Sequence, residues 1–64
     1  MGLRMSFGVH VDRGDGELVE LVTGLTIKKA TRLGRKAKDA EPDLAVFVTF
    51  KDKGTYRRFV EVAP

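Results

Sequence analysis

The feature that most constrains the fold of this chain is one amphipathic helix, with a start signal before it and a stop signal after it. Thr26 is a good N-cap residue, because its hydroxyl can accept a hydrogen bond from a free N–H of the first turn. Pro42 cannot continue a helix, since it has no backbone N–H and its ring clashes with the preceding turn. The sequence therefore predicts a helix that starts after Thr26 and runs to about Glu41.

One side of this helix carries mostly small apolar residues. At about 100° per residue, the residues on that side are Ile27, Ala30, Leu33, Gly34, Ala37 and Ala40. We expect the helix to lie close to a sheet, with Ile27 and Leu33 as its anchors. A glycine inside a helix costs ~1 kcal/mol relative to alanine, and close packing is the expected reason that Gly34 is tolerated.

The chain before the helix predicts a β-hairpin. Residues 6–12 alternate apolar and polar, and residues 17–23 form a second strand segment. Between them, Gly14-Asp15-Gly16 is expected to be a three-residue loop, because glycine adopts positive φ without steric cost. The expected cross-strand neighbours are Val11 with Val19, Val9 with Leu21, and His10 with Glu20.

The chain after the helix predicts a second hairpin. Residues 44–51 are the strongest strand signal, and residues 55–62 return as a fourth strand. Asp52-Lys53-Gly54 is expected to be a three-residue loop with Gly54 in the left-handed region. The expected neighbours are Phe50 with Tyr56, Val46 with Val60 and Leu44 with Val62 on the core side, and Phe47 with Phe59 on the other side.

These elements predict an α+β fold of order β-β-α-β-β, a four-stranded antiparallel sheet with one helix packed across one face. Residues 1–64 form a single domain, with 1–5 expected as a disordered tail and Met5 as an alternative start. There is no apolar run of the ~20 residues that cross a bilayer and no signal peptide, so we expect a cytoplasmic protein without membrane contact. The absence of Asn, Gln, Trp and Cys is typical of a GC-rich genome, such as that of a high-GC bacterium or its phage.

The outer side of the helix is strongly basic. Residues 28–38 hold six cations and no acid, whereas the whole chain has a net charge of +3, so the remainder sums to −3. Lys28 and Lys29 fall in the first turn, where the helix dipole already presents positive charge, and Asp39 and Glu41 fall near the negative end. Such a departure from a local rule is typical of function.

Two interpretations of this basic side remain open. Free N–H groups near Thr26 with Lys28 and Lys29 would bind a phosphate, and the remaining cations would follow a nucleic-acid backbone. Alternatively, the cations form a solvated surface that pairs with Asp39 and neighbouring acids. The candidate nucleic-acid or anion-binding residues are Thr26, Lys28, Lys29, Arg32, Arg35 and Lys36.

A second candidate surface is the sheet face away from the helix. The expected register places Phe47 and Phe59 side by side there, and exposed apolar patches are typical of association. Stacking of the two rings on nucleobases is a second interpretation, and a plain, partly covered surface is a third. The candidate protein-interface residues are Leu18, Val22, Phe47, Arg57 and Phe59.

Catalytic and metal sites are not expected. His10 and Glu20 are a cross-strand pair without a nucleophile motif, and Asp12, Asp15 and Glu17 do not have the spacing of a calcium loop. The chain has no cysteine, so it has neither disulfides nor thiolate metal sites. A domain of this size is marginally stable, and we therefore expect a homodimer.

The sequence thus predicts a small non-enzymatic accessory binding protein that contacts nucleic-acid phosphates through the basic face of its helix. The alternative is a protein-interaction or dimerisation module, such as a phage or bacterial regulator, that uses the face around Phe47 and Phe59. No cofactor, metal or small-molecule substrate is expected.

Overall fold

A computed structural model describes residues 4–64 and confirms the predicted fold. The sheet is antiparallel with strand order β2-β1-β3-β4, and the helix packs across one face. The predicted tail falls mainly on residues 1–3, which lie outside the described residues, while Arg4 and Met5 precede the first strand. The elements are β1 (Phe7–Asp12), β2 (Leu18–Leu25), α1 (Ile27–Ala40), β3 (Ala45–Asp52) and β4 (Thr55–Glu61).

The core lies between α1 and the two central strands. Its buried residues are Val9, Val11, Leu25, Ala30, Val46, Val48 and Val62. Gly34 is buried against this layer: a Cβ atom there would lie 3.1 Å from Val62 Cγ2 and 3.5 Å from Val48 Cγ2. The expected close packing of the helix at Gly34 is therefore confirmed, and its role as the reason for the glycine stays a prediction.

The ends of α1 follow the sequence signals. Thr26 Oγ1 accepts a hydrogen bond from the Lys29 N–H at 3.2 Å, as expected of the N-cap. The helix ends at Ala40, one residue before the predicted limit, and the N–H of Glu41 donates to the Ala37 carbonyl. Leu33 packs on the core, but Ile27 is 41% exposed, so its expected anchoring role is wrong. Ile27 is the first helical residue and points along the open side of the helix beside β4.

The first hairpin has the predicted register only near its turn. Val11 opposes Val19 and His10 opposes Glu20, as expected, but Val9 opposes Val22 instead of Leu21. Leu21 is an extra residue in β2, a β-bulge that turns Val22 toward the core. The candidate interface residue Val22 is therefore not on the outer sheet face.

The loop of the first hairpin is longer than expected. It covers residues 13–17, because Asp12 Oδ1 accepts hydrogen bonds from the N–H groups of Gly14 at 2.7 Å and Gly16 at 3.1 Å. Gly14 and Gly16 have φ of 107° and 84°, as predicted for these glycines. At the other end, β2 continues past residue 23, its predicted limit, through Gly24 to Leu25.

The second hairpin differs from its prediction at the turn. Asp52 opposes Thr55, so the loop has two residues, Lys53 with φ of 51° and Gly54 with φ of 83°. Positive φ at both central residues is typical of a type I′ turn. The resulting one-residue change in register places Phe50 opposite Arg57 and moves Tyr56 to the other face.

A bulge in β4 shifts the register by one more residue, so that the residues after it return to their predicted face. Val48 opposes Val60 while Thr49 opposes Arg58, so Phe59 is unpaired between them. Val60 and Val62 accordingly lie on the helix side, as predicted, although their expected partners Val46 and Leu44 are wrong. The bulge also places Phe59 on the helix side.

Candidate functional site

The basic side of α1 has the composition and position that the sequence predicts. We call the five residues that form it the basic arc: Lys28, Lys29, Arg32, Arg35 and Lys36. All five are exposed. Thr26 and four of them, Lys36 excepted, line one shallow depression together with Thr31. The structure thus brings five of the six candidate anion-binding residues together around one depression.

The basic arc begins at the positive end of the helix. The first turn of α1 contains Lys28 and Lys29 and no acidic side chain. The Thr26 hydroxyl satisfies one N–H group of this turn. The partial positive charge of the helix N-terminus therefore adds to the field of the lysines, which strengthens attraction for an anion.

The charge pairs that would neutralise the arc are not formed. In residues 4–64 the only two salt bridges are Arg57 with Asp52 and Arg58 with Asp12, both away from the helix. The sixth cation of the run, Lys38, turns away from the arc, and its Nζ donates to the Leu44 carbonyl at 2.7 Å. The solvated-surface interpretation predicted ion pairs of these cations with Asp39 and neighbouring acids, and residues 4–64 contain none of them.

The second predicted surface is not assembled. Leu18 and Phe47 lie on the sheet face away from α1, opposite Asp12 and Glu61 respectively. Phe59 lies on the helix side, where its ring packs edge-to-face against Phe7 at 5.7 Å and against Phe50 at 5.8 Å. The register prediction for Phe47 and Phe59 is therefore wrong.

Arg57 also lies on the helix side, because it opposes Phe50. Its guanidinium is 3.3 Å from the Asp52 carboxylate in an exposed ion pair. The cation beside Phe47 is instead Arg58, whose guanidinium carbon is 5.0 Å from the centre of the ring. Of the five candidate interface residues, only Leu18 and Phe47 share the outer face.

The structure instead contains an open groove between α1 and the edge strand β4. We call it the α1–β4 groove. Its helix wall carries Ile27, Thr31 and Arg35, and its strand wall carries Phe59 and Val60. Phe59 and Val60 are each 52% exposed. Sequence reasoning missed this groove, because no pattern marked the bulge that puts both side chains on one side of β4.

The outer sheet face contains a buried polar cluster that sequence reasoning only partly found. His10 and Thr49 are 5% and 0% exposed, and His10 Nδ1 lies 2.7 Å from Thr49 Oγ1. The Tyr56 ring covers His10 with a centroid distance of 5.1 Å. Burial lowers the pKa of His10 below its usual 6.5, and the charge of Glu20 opposes that shift only in part. The expected His10–Glu20 pairing is confirmed, while the one-residue register error concealed Tyr56.

Arg58 ties this face to the first loop. It donates to the Gly16 carbonyl at 3.0 Å and to Asp12 Oδ2 at 3.3 Å while lying over Phe47. The N–H groups of Gly14 and Gly16, with Arg58, hold the pKa of Asp12 below its usual value. These contacts connect β4 to the first loop across the outer sheet face.

Within residues 4–64, no three side chains of the metal-binding types come close enough together to hold an ion. The same residues contain no helix that is long and apolar enough to cross a membrane. No known protein-family model matches this chain, and no curated protein or solved structure matches it either.

Proposed function

We propose that this protein is a small non-enzymatic nucleic-acid-binding protein whose basic arc contacts the phosphate backbone. The observation that supports this most directly is the state of the arc: five exposed cations on one side of a 14-residue helix, none of them in an ion pair within the described residues. Nucleic acid is the abundant polyanion that would supply the missing negative charge.

The position of Lys28 and Lys29 supports the same function. Each costs ~0.3–1 kcal/mol at low salt, because like charges meet at the helix N-terminus. A phosphate bound there would remove this repulsion and accept hydrogen bonds from free N–H groups of the first turn. The unfavourable arrangement in the free protein would become favourable in the complex.

The chemistry of the arc favours binding without base-specific readout. Lysine and arginine contacts to phosphates fix position on a nucleic acid but carry no sequence information. The arc contains no Asn, Gln or acidic side chain, so the bidentate pair with adenine and the carboxylate contact with cytosine are not available to it. We therefore expect similar affinities for different sequences of equal length.

A salt titration of binding to a labelled mixed-sequence duplex tests the proposal. Fluorescence anisotropy should give a linear fall of log affinity with log salt, with a slope of ~0.9 per phosphate contacted and at most about five contacts. The Arg32→Glu, Lys36→Glu double variant should lose binding. Both side chains are exposed, so its fold should be retained.

The matched control is the Arg13→Glu, Lys51→Glu double variant, which changes the net charge equally at two exposed sites outside the helix. It should retain most of the affinity. Equal loss in both variants would show that net charge alone acts, and absence of salt-dependent binding in the unmodified protein would refute the proposal.

The alternative function is a protein-interaction or dimerisation module. The surface predicted for it is not formed, because Phe47 and Phe59 lie on opposite sheet faces. Self-association itself stays a prediction, which light scattering over a range of concentrations checks.

A further inference from the structure

The α1–β4 groove continues directly into the basic arc. Arg35 and Thr31 line both the groove and the depression around the arc. On the helix, Ile27, Thr31 and Arg35 follow one another at four-residue spacing, so they form one flank of α1 beside β4. A ligand whose charge lies on the arc would therefore have the groove within reach.

The exposed ring of Phe59 lies at the basic end of this groove. It contacts Phe7, and Phe7 opposes Leu25, which is two residues before the start of α1. The acidic residues that line the groove are Asp39, at the other end of the helix, and Glu61, two residues beyond Phe59 in β4. Negative charge is thus attracted at the end that holds Phe59 and repelled at the end that holds Asp39.

Phe59 differs from the other aromatic side chains in its exposure. Phe7, Phe47, Phe50 and Tyr56 are all at least partly buried, whereas Phe59 is 52% exposed. Its edge-to-face contacts with Phe7 and Phe50 fix the ring without covering it. An exposed, immobilised ring beside cations is the arrangement that proteins use to stack unpaired bases.

We propose that the α1–β4 groove binds an unpaired base of a single-stranded nucleic acid, stacked on Phe59, while the adjoining phosphates lie on Arg35, Lys28 and Arg32. This inference rests on the proposed function and narrows it to a preferred substrate class, single strands. The bases of an intact duplex are paired and stacked inside the nucleic-acid double helix, so they would not enter the groove.

Fluorescence of the Phe59→Trp variant tests base contact directly. The chain has no tryptophan, so the introduced indole would be the single reporter. An oligothymidylate of about twelve nucleotides should quench its emission, and a duplex of equal length should not. The Phe47→Trp variant is the matched control on the opposite sheet face, and its emission should be unchanged by either ligand.

Affinity of the Phe59→Leu variant supplies an independent measurement. Its affinity for the oligothymidylate should fall about tenfold, with duplex affinity unchanged. Phe47→Leu should change neither affinity, and thermal melts of both variants establish that they fold. An unchanged oligothymidylate affinity in Phe59→Leu, or unquenched Phe59→Trp emission, would overturn the inference.

Two further outcomes are distinguishable. Salt-dependent binding that disappears in Arg32→Glu, Lys36→Glu while Phe59→Trp emission stays constant would overturn the groove inference and leave the proposed function standing. A dimeric mass that becomes monomeric in Phe59→Leu, with nucleic-acid affinity unchanged, would assign the groove to a second copy of the chain and also overturn the inference.

Discussion

The two faces of the sheet bury their central residues by different means. On the helix face, α1 covers aliphatic side chains, and Val46 and Val48 are 0% and 2% exposed. On the outer face, no helix or strand of the described chain lies over the sheet, yet His10 and Thr49 are equally buried. The central strands are covered there by long side chains from β4, chiefly Tyr56 and Arg58.

This difference shows that the packing of the helix face depends on side-chain volume, and that of the outer face on hydrogen-bond partners. α1 packs so closely at Gly34 that even a Cβ atom there would press on Val62, whereas the buried ring nitrogen of His10 has the Thr49 hydroxyl as its partner. Substitutions that change side-chain volume should therefore destabilise the protein most on the helix face. Substitutions that change polarity should destabilise it most on the outer face.

The largest effect is expected from Gly34→Leu. A Cβ atom would already lie 3.1 Å from Val62 Cγ2, so the larger side chain must push α1 away from the sheet. We expect the free energy of unfolding to fall by about 2–3 kcal/mol, measured by urea denaturation. Ala40→Leu, at an exposed position of the same helix, is the control and should have little effect. Equal losses in the two variants would contradict the close-packing explanation.

Thr49→Val should cost somewhat less. The change keeps the volume but removes the hydrogen-bond partner of His10 Nδ1, which is buried. Leaving a buried polar group unpaired costs ~1–3 kcal/mol. The double variant His10→Leu, Thr49→Val should lose less than the sum of the two single variants, because the second change removes the unpaired group. Additive losses in the double-mutant cycle would show that the two side chains do not interact.

Arg58→Met should have a smaller effect that exceeds that of Arg57→Met. Arg58 lies over Phe47 and donates to the Gly16 carbonyl, whereas Arg57 forms one exposed ion pair. A cation–π contact at a surface site contributes ~0.5–1 kcal/mol, and an exposed ion pair often contributes less. Thermal unfolding of both variants measures the difference, and the reverse order would show that Arg58 does not fasten the outer face.

The smallest effect is a pH dependence of the outer face. The pKa of His10 is lowered in the folded state, so the unfolded chain takes up its proton first as pH falls. Stability should be constant above about pH 7.5, decrease as pH falls through the usual pKa of 6.5, and level off below the folded pKa. Urea denaturation between about pH 5 and pH 8 checks this, since the window of Asp12 lies lower, its pKa being held below 3.8. His10→Phe should remove the slope in this range, and a variant that keeps it would assign the slope to another group.

The sequence was sufficient for the elements and their order. Thr26 and Pro42 bound the helix, and alternating apolar residues mark each strand, because these signals depend on local steric and hydrogen-bonding rules. The basic arc was equally predictable, since a helix with a known buried side has a known exposed side.

The partners across the sheet were less predictable. Lys53 adopts a left-handed conformation that sequence rules assign mainly to glycine, so the shorter turn was missed and Tyr56 was placed on the wrong face. The bulges at Leu21 and Phe59 depend on tertiary packing and leave no local signal. The groove follows from the bulge at Phe59, and the place of Tyr56 in the His10 cluster follows from the shorter turn, which is why the groove was missed and the cluster was only partly found.

The pairing of β1 with β3 has a consequence for how the chain folds. Each hairpin and the helix form from contacts between near neighbours in sequence, but β1 meets β3 between residues as distant as Phe7 and Phe50. Closing that long segment costs entropy before any contact compensates for it. The rate-limiting step should be the pairing of β1 with β3, and the His10–Thr49 bond, formed across this pairing, should appear only in that step.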